Sequence, residues 1–203
     1  MKIIAIGRNY TDHIQELKNE RPDEPVVFMK PDTALLRNDD PLYYPEYTQN
    51  IHYEVEILVK ISQAGKYIQE KFAAKYYDSI GIGIDFTARD LQQKAKEKGL
   101  PWLLAKGFNG SAPVSEFVSK EKYPDLQNLN FSLKVDGETK QEGNTSLMLF
   151  TINSLIAYVS QFITLKKGDI LFTGTPKGVG PIQRGNVLEA FIEEQKMLTC
   201  EIK

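Results

Sequence analysis

IHYEVEILVKI, residues 51–61, sets two glutamates two positions apart inside a β-branched and aliphatic run. Side chains alternate faces along a strand, so the stretch predicts one strand with Tyr53, Val55, Ile57, Val59 and Ile61 on an apolar face. His52, Glu54 and Glu56 share the other face. Two carboxylates then point the same way from one rigid element. They repel each other and are costly to bury unless a cation neutralises them, which a hard divalent ion with oxygen ligands can do. The same alternation also describes a solvated strand face that carries two acids, and the strand by itself does not choose between the two.

A third carboxylate follows 29 residues after Glu56. In IGIGIDFTARD, residues 80–90, an apolar strand punctuated by glycines runs into Asp85, and a helix start comes next. Thr87 as N-cap with Asp90 three residues on fits a capping box, and the helix DLQQKAKEK is expected to stop at Gly99, with Pro101 beyond it. Asp85 therefore stands at a strand end, where scaffolds place reactive groups. It is either a third metal ligand or an alternative cap and turn former.

The chain has 203 residues, of which 41% are hydrophobic: enough for one well-buried core and too few for two typical domains. A net charge of −2 with scattered basic residues gives no field for nucleic acid. The single cysteine, Cys200, excludes an intramolecular disulfide and a cysteine-rich zinc cluster. No apolar run approaches the length of a membrane span, and the reading is a cytoplasmic protein without membrane or nucleic-acid partners.

Elsewhere the pattern is short strands with two or three helices. MKIIAIG reads as a strand and TDHIQELKN as a brief helical turn. The proline-rich span 21–47 reads as loop around a strand at VVFMK, and this loop could fold over a site. Asp136-Gly137 between alternating segments predicts a hairpin, and SLMLFTINSLIAYVSQFITL has the spacing of a core helix. The fold class expected is mainly β with a few helices (α+β), largely antiparallel. TGTPKGVG, residues 173–180, lacks the Gly-Lys-Ser/Thr ending of a P-loop, and GIGIDF lacks the third glycine of a dinucleotide fingerprint. TGTP serves equally well as a plain turn or as a turn whose amides and Thr175 hydroxyl meet an anion.

GRNYTDHIQE, FMKP, HYEVEILV, IGIDFTARDLQ, KGLPW, LAKGF, GNTS and FTGTPKGVGP occur in the order and spacing of the fumarylacetoacetate hydrolase family. The resemblance spans essentially all 203 residues and is strongest to the short, single-domain acylpyruvase and oxaloacetate decarboxylase members. It implies a mixed β-sandwich roll in a single catalytic domain over 1–203, with residues 8–36 as a mobile lid, assembled as a homodimer. It implies Mg2+ or Mn2+ held by Glu54, Glu56 and Asp85. His13 and Glu16, three apart on one helical face, take the place of a water-activating pair, and Lys106 in LAKGF that of an active-site lysine. Arg8, Tyr10, Arg89, Gln92 and Thr175 are implied substrate contacts. Departures lie at Asn109-Gly110 and in GNVLE, away from the carboxylates.

The activity implied is cleavage of a C–C bond in a small 2-oxo acid, by acylpyruvate hydrolysis, oxaloacetate decarboxylation or both, through a pyruvate enolate. A keto–enol isomerase using the same metal site is the alternative, and a non-catalytic oxo-acid binding protein is a third reading. The presence of both His13 and Glu16 favours the first. Side chains in the variable loops choose the acyl group.

Overall fold

The computed structural model of the protein describes residues 1–16 and 20–203, apart from the Gln15 side chain. Leu17, Lys18 and Asn19, within the TDHIQELKN turn and the expected lid, lie outside the described residues.

The β-branched runs assemble into a six-stranded sheet. Its strands are Ile3–Gly7 (β1), Val26–Lys30 (β2), Val55–Ile61 (β5), Tyr77–Ile84 (β6), Val118–Ser119 (β9) and Ile170–Phe172 (β12), in the order β2-β1-β12-β5-β6-β9. Strand β1 pairs parallel with β12 and the other pairs are antiparallel. Both faces are covered. Ile57, Val59 and Ile61 enter the larger hydrophobic cluster, whereas Leu58 enters a smaller one with Ile3, Ala5 and Phe172. Burial on both faces is why β5 reads as a near-continuous apolar run.

A second, four-stranded antiparallel sheet comprises Asn130–Val135 (β10), Glu138–Asn144 (β11), Val187–Ile192 (β14) and Gln195–Glu201 (β15), in the order β11-β10-β14-β15. The expected hairpin joins β10 to β11 through Asp136 and Gly137, both with positive φ (52° and 81°), as a two-residue turn of primed type requires. The smaller pairings are Leu35–Leu36 (β3) with Ala112–Pro113 (β8), and Ile51–Tyr53 (β4) with Thr87–Ala88 (β7) and Gly180–Pro181 (β13). The helices are Thr11–Glu16 (α1), Glu70–Ala73 (α2), Arg89–Glu97 (α3), Leu103–Lys106 (α4) and Ile152–Phe162 (α5). None of the described helices is long and apolar enough to cross a membrane.

Three local expectations are corrected. The stretch 51–61 is two strands rather than one. The strand is interrupted at Glu54, where the Val55 amide donates to Gln141 Oε1 (2.9 Å) and the Glu54 carbonyl accepts from the Asp85 amide (2.8 Å). Thr87 is not the N-cap of α3. It pairs with His52 in the small sheet, Ala88 holds the cap position without a side-chain bond, and Asp90 accepts from Thr48 Oγ1 (2.7 Å). The core helix starts only at Ile152, where Thr151 caps it by accepting from the Ser154 amide. Within 21–47 the expected strand VVFMK is present as β2, residues 35–36 add a short pairing, and the Lys30 side chain is wholly buried. The other end of α3 is as expected. Gly99 (φ 63°) follows the C-cap, and the Leu100 amide reaches back to the Ala95 carbonyl (2.8 Å) in a Schellman closure.

Candidate metal centre

Strand β5 delivers Glu56, the break before it delivers Glu54, and the end of β6 delivers Asp85. One carboxylate oxygen from each lies within 4.8 Å of the others, and all three residues are buried. Register brings them together: Glu56 pairs with Gly83 and Val55 with Ile84, which places Asp85 beside Glu54.

Three cations answer this charge. Lys106, at the end of α4, bridges Glu54 Oε2 (2.7 Å) and Asp85 Oδ2 (2.6 Å). Arg89, the first residue of α3, donates to Glu54 Oε1 (2.5 Å) and to Gln92 Oε1 (2.7 Å). Lys30 lies 2.7 Å from Asp85 Oδ1 and donates to the carbonyls of Lys106 (2.5 Å) and Ser111 (2.9 Å), fixing β2 and the segment after α4 to the carboxylate. Glu56 is treated differently: its Oε2 accepts from the Gly174 amide (2.6 Å), and among the described residues no cation pairs with it.

The protonation tendencies follow. Burial opposes ionisation of Glu54, but Lys106 and then Arg89 outweigh it and hold that carboxyl below its ordinary value. Burial, followed by the charges of Asp85 and Glu54, pushes Glu56 up. For Lys106, burial disfavours the ammonium, yet Asp85 and Glu54 prevail and raise it. Burial, with Arg89 beside it, brings the His52 imidazole down to about 4. The donor set fits a hard divalent cation: three carboxylates converge, and one of them is under like-charge repulsion without a cationic partner.

A cavity opens onto this cluster. Its lining combines the charged or polar Glu54, Glu56, Lys106, Thr175, Arg8, His13, Arg89, Gln92 and Lys96 with the apolar Ile6, Phe28 and Trp102. The structure thus gathers ten sequence-predicted residues at one place, with Asp85 reached through Lys106 and with Glu16 behind His13. His13 Nδ1 lies 3.2 Å from Glu16 Oε2, and Glu16 Oε1 accepts from the Gly178 amide (3.0 Å). TGTPKGVG does meet anions with its amides, but they are the protein's own: Gly174 donates to Glu56 and Gly178 to Glu16, while Thr175 Oγ1 accepts from Gln141 Nε2 (2.9 Å).

Tyr10 stands apart from this cavity. Its ring packs edge-on to Phe131, and burial followed by the Glu56 charge raises its phenol. Two site residues escaped the sequence reading. Lys30 lay inside the quoted FMKP motif but was given no role, because its partners lie 55 or more positions away. Lys96 had a local signal: Arg89, Gln92 and Lys96 repeat at helical spacing on a single face of α3.

Carboxylate ligands on a β scaffold, a lysine bridging two of them and a histidine–carboxylate pair at the cavity define a metal-binding hydrolase or isomerase. The chain belongs to the fumarylacetoacetate hydrolase family, whose C-terminal domain model matches residues 2–203. A mitochondrial oxaloacetate tautomerase of Mus musculus is 47% identical over 201 residues, covering 99% of this chain and 91% of the relative. A mitochondrial oxaloacetate decarboxylase of Dictyostelium discoideum is 43% identical over 192 residues, covering 94% and 88%. The crystal structure of fumarylpyruvate hydrolase from Pseudomonas aeruginosa in complex with Mn2+ and pyruvate superposes with a TM-score of 0.94 at 32% identity, covering 100% of this chain and 89% of that one.

Proposed function

We propose that the protein is a Mg2+- or Mn2+-dependent enzyme that cleaves a C–C bond in small 2-oxo acids, by acylpyruvate hydrolysis, oxaloacetate decarboxylation or both. The observation that carries this reading is the His13–Glu16 contact on the same cavity as the carboxylate trio. A divalent cation held by Glu54, Glu56 and Asp85 supplies Lewis acidity toward the 2-keto oxygen. The chain's own residues do the rest. With Nδ1 engaged by Glu16, His13 offers Nε2 to take a proton from water. Lys106, fixed by two carboxylates, supplies positive charge where an enolate develops. Ile6, Phe28 and Trp102 exclude water from one side.

Keto–enol tautomerisation is a second reading, favoured by the 47% identical relative that carries this activity in its name. A base that draws a proton from C3 serves it without water attack. His13→Ala separates the two. Acylpyruvate hydrolysis is expected to fall by about 10²-fold with metal affinity intact. Unchanged hydrolysis would show that the dyad is surface structure.

Three further statements belong to this reading. The lid over residues 8–36 is part of the proposal, and among its described residues 26–30 and 35–36 belong to sheets, with Lys30 anchored to Asp85. A homodimer is supported by the exposed apolar patch of Tyr43, Tyr47, Leu103 and Leu104, the last two on the same helix as Lys106. The compartment is a reducing one, in keeping with a lone buried Cys200 whose thiol burial pushes up to about 12; cytoplasm and mitochondrial matrix both meet that condition.

A further inference from the structure

Gln141, on β11 of the second sheet, is buried and does not line the cavity, yet its side-chain amide reaches two parts of the site. Three hydrogen bonds fix which way that amide faces. The Val55 amide can only donate, so the atom opposite it (2.9 Å) is Oε1. The Pro176 carbonyl can only accept, so the atom opposite it (3.0 Å) is Nε2. Thr175 Oγ1, 2.9 Å from Nε2, is therefore the acceptor of the third bond. A hydroxyl has one proton to give, and that of Thr175 cannot be directed at Gln141. Among the described residues it has no protein acceptor.

The place of this hydroxyl is set along with its polarity. Val55 separates Glu54 from Glu56, and Gly174, directly before Thr175, donates to Glu56 Oε2 (2.6 Å). One side-chain amide thus joins the strand that bears two carboxylates to the turn that bears the hydroxyl. The turn lies close against β11 because Gly178 has φ 94° and no Cβ; a Cβ there would run into the Lys140 carbonyl. Thr175 lines the cavity together with Glu54, Glu56 and Lys106. A donor oriented before its ligand arrives needs no reorganisation on binding, which is where a hydrogen bond in a partly dry site gains most.

We propose that Gln141 is a positioning residue that commits the Thr175 hydroxyl to donate to an anionic oxygen of the bound ligand. The inference rests on the 2-oxo acid reading of the site and adds to it a residue that touches neither substrate nor metal ligand side chain. Gln141 Nε2, Thr175 Oγ1 and the ligand oxygen then form a chain in which each hydrogen bond polarises the next. When Thr175 donates to an anion, its oxygen becomes a stronger acceptor for Gln141.

Trp102 is the sole tryptophan and lines the cavity, so its fluorescence reports binding without turnover. The probe is oxalate, which offers anionic oxygens on adjacent carbons, added to the enzyme at saturating magnesium. Thr175→Val is expected to weaken oxalate about tenfold, the scale of one hydrogen bond to a charged group, and Thr175→Ser to retain most of the affinity. Gln141→Met is expected to weaken oxalate in the normal background and to add no further loss in the Thr175→Val background, because it acts through that hydroxyl. A glutamine that only holds the fold weakens both backgrounds by the same factor, and that result overturns the proposal. Thr175→Val binding oxalate like the normal enzyme overturns it as well. Should Gln141→Met fail to fold, the unmodified protein decides: the Gln141 side-chain amide proton bonded to Thr175 is expected to move downfield in NMR on saturation with oxalate. A resonance that stays in place overturns the proposal while leaving the 2-oxo acid reading intact. Failure of the magnesium-loaded enzyme to bind oxalate overturns both.

Discussion

Glu56 shows how one side chain can serve binding at the expense of its own environment. Its carboxylate is buried beside two others and, among the described residues, bonded only to the Gly174 amide, so an uncharged isostere removes repulsion while keeping an oxygen for that amide. Glu56→Gln is therefore expected to leave a folded protein, by circular dichroism, and to cost at least about 10²-fold in Mg2+ affinity by calorimetry, with turnover lost. Full activity of this variant, or of the normal enzyme in excess chelator, would sink the metal reading. Glu16 gives a pH-dependent test. Burial raises its carboxyl, but the His13 and Gly178 bonds prevail and lower it below 4.5. A depressed acid contributes stability above its unfolded value and loses it as pH falls through the folded one. The difference in melting temperature between the normal protein and Glu16→Gln should thus be present at neutral pH and vanish in acid, below the ordinary glutamate range. A difference that persists there contradicts the assignment.

At the scale of elements, β6 explains its own glycines. A Cβ on Gly83 would meet the Pro113 carbonyl oxygen at 2.8 Å, Leu58 Cδ1 at 2.8 Å and Phe172 Cε1 at 3.1 Å. The carbonyl belongs to β8 and cannot swing aside, so Gly83→Ala is expected to destabilise by about 1–3 kcal/mol, measured by denaturant unfolding. Because Gly83 pairs with Glu56, that strain also falls on the metal side of the sheet. Helix α1 is held to the segment after Pro176 by two contacts: Glu16 accepts from the Gly178 amide, and Lys177 pairs with Asp12 (2.9 Å) on the exposed surface. Oxalate, a planar dianion shaped like the pyruvate enolate, is expected to slow amide exchange across residues 11–25 if that segment closes over bound ligand. Tight oxalate binding with unchanged exchange would mean a preformed site.

On the scale of the whole molecule, α4 links the chemistry to the surface. Its four residues carry Lys106 on the buried side, while Leu103 is 57% and Leu104 76% exposed, beside Tyr47 at 57%. Two copies meeting on this patch would cover large apolar side chains and steady the helix that bears the lysine. Leu104→Glu with Tyr47→Glu is expected to give monomers in sedimentation and to lower activity at dilute protein. A monomeric normal protein would dismiss the dimer.

The sequence by itself determined the features that depend on short-range periodicity and turn chemistry. Alternation around Glu54 and Glu56, the Asp136-Gly137 hairpin, the Gly99 stop of α3 and the i, i+3 spacing of His13 and Glu16 are all carried within a few residues. The family resemblance then joined separate motifs that spacing alone left apart. Tertiary structure decided what depends on partners far along the chain. The strand break at Glu54 goes with a bond from the Val55 amide to Gln141, 86 positions away, and the Glu56 carboxylate finds the Gly174 amide 118 positions away. Lys30 becomes an anchor only because sheet register sets it against Asp85, and the Tyr10 ring packs edge-on to Phe131. Local pattern fixes which face a side chain takes. What stands opposite that face is set by the packing of the sheets, and there the charge balance of the site is decided.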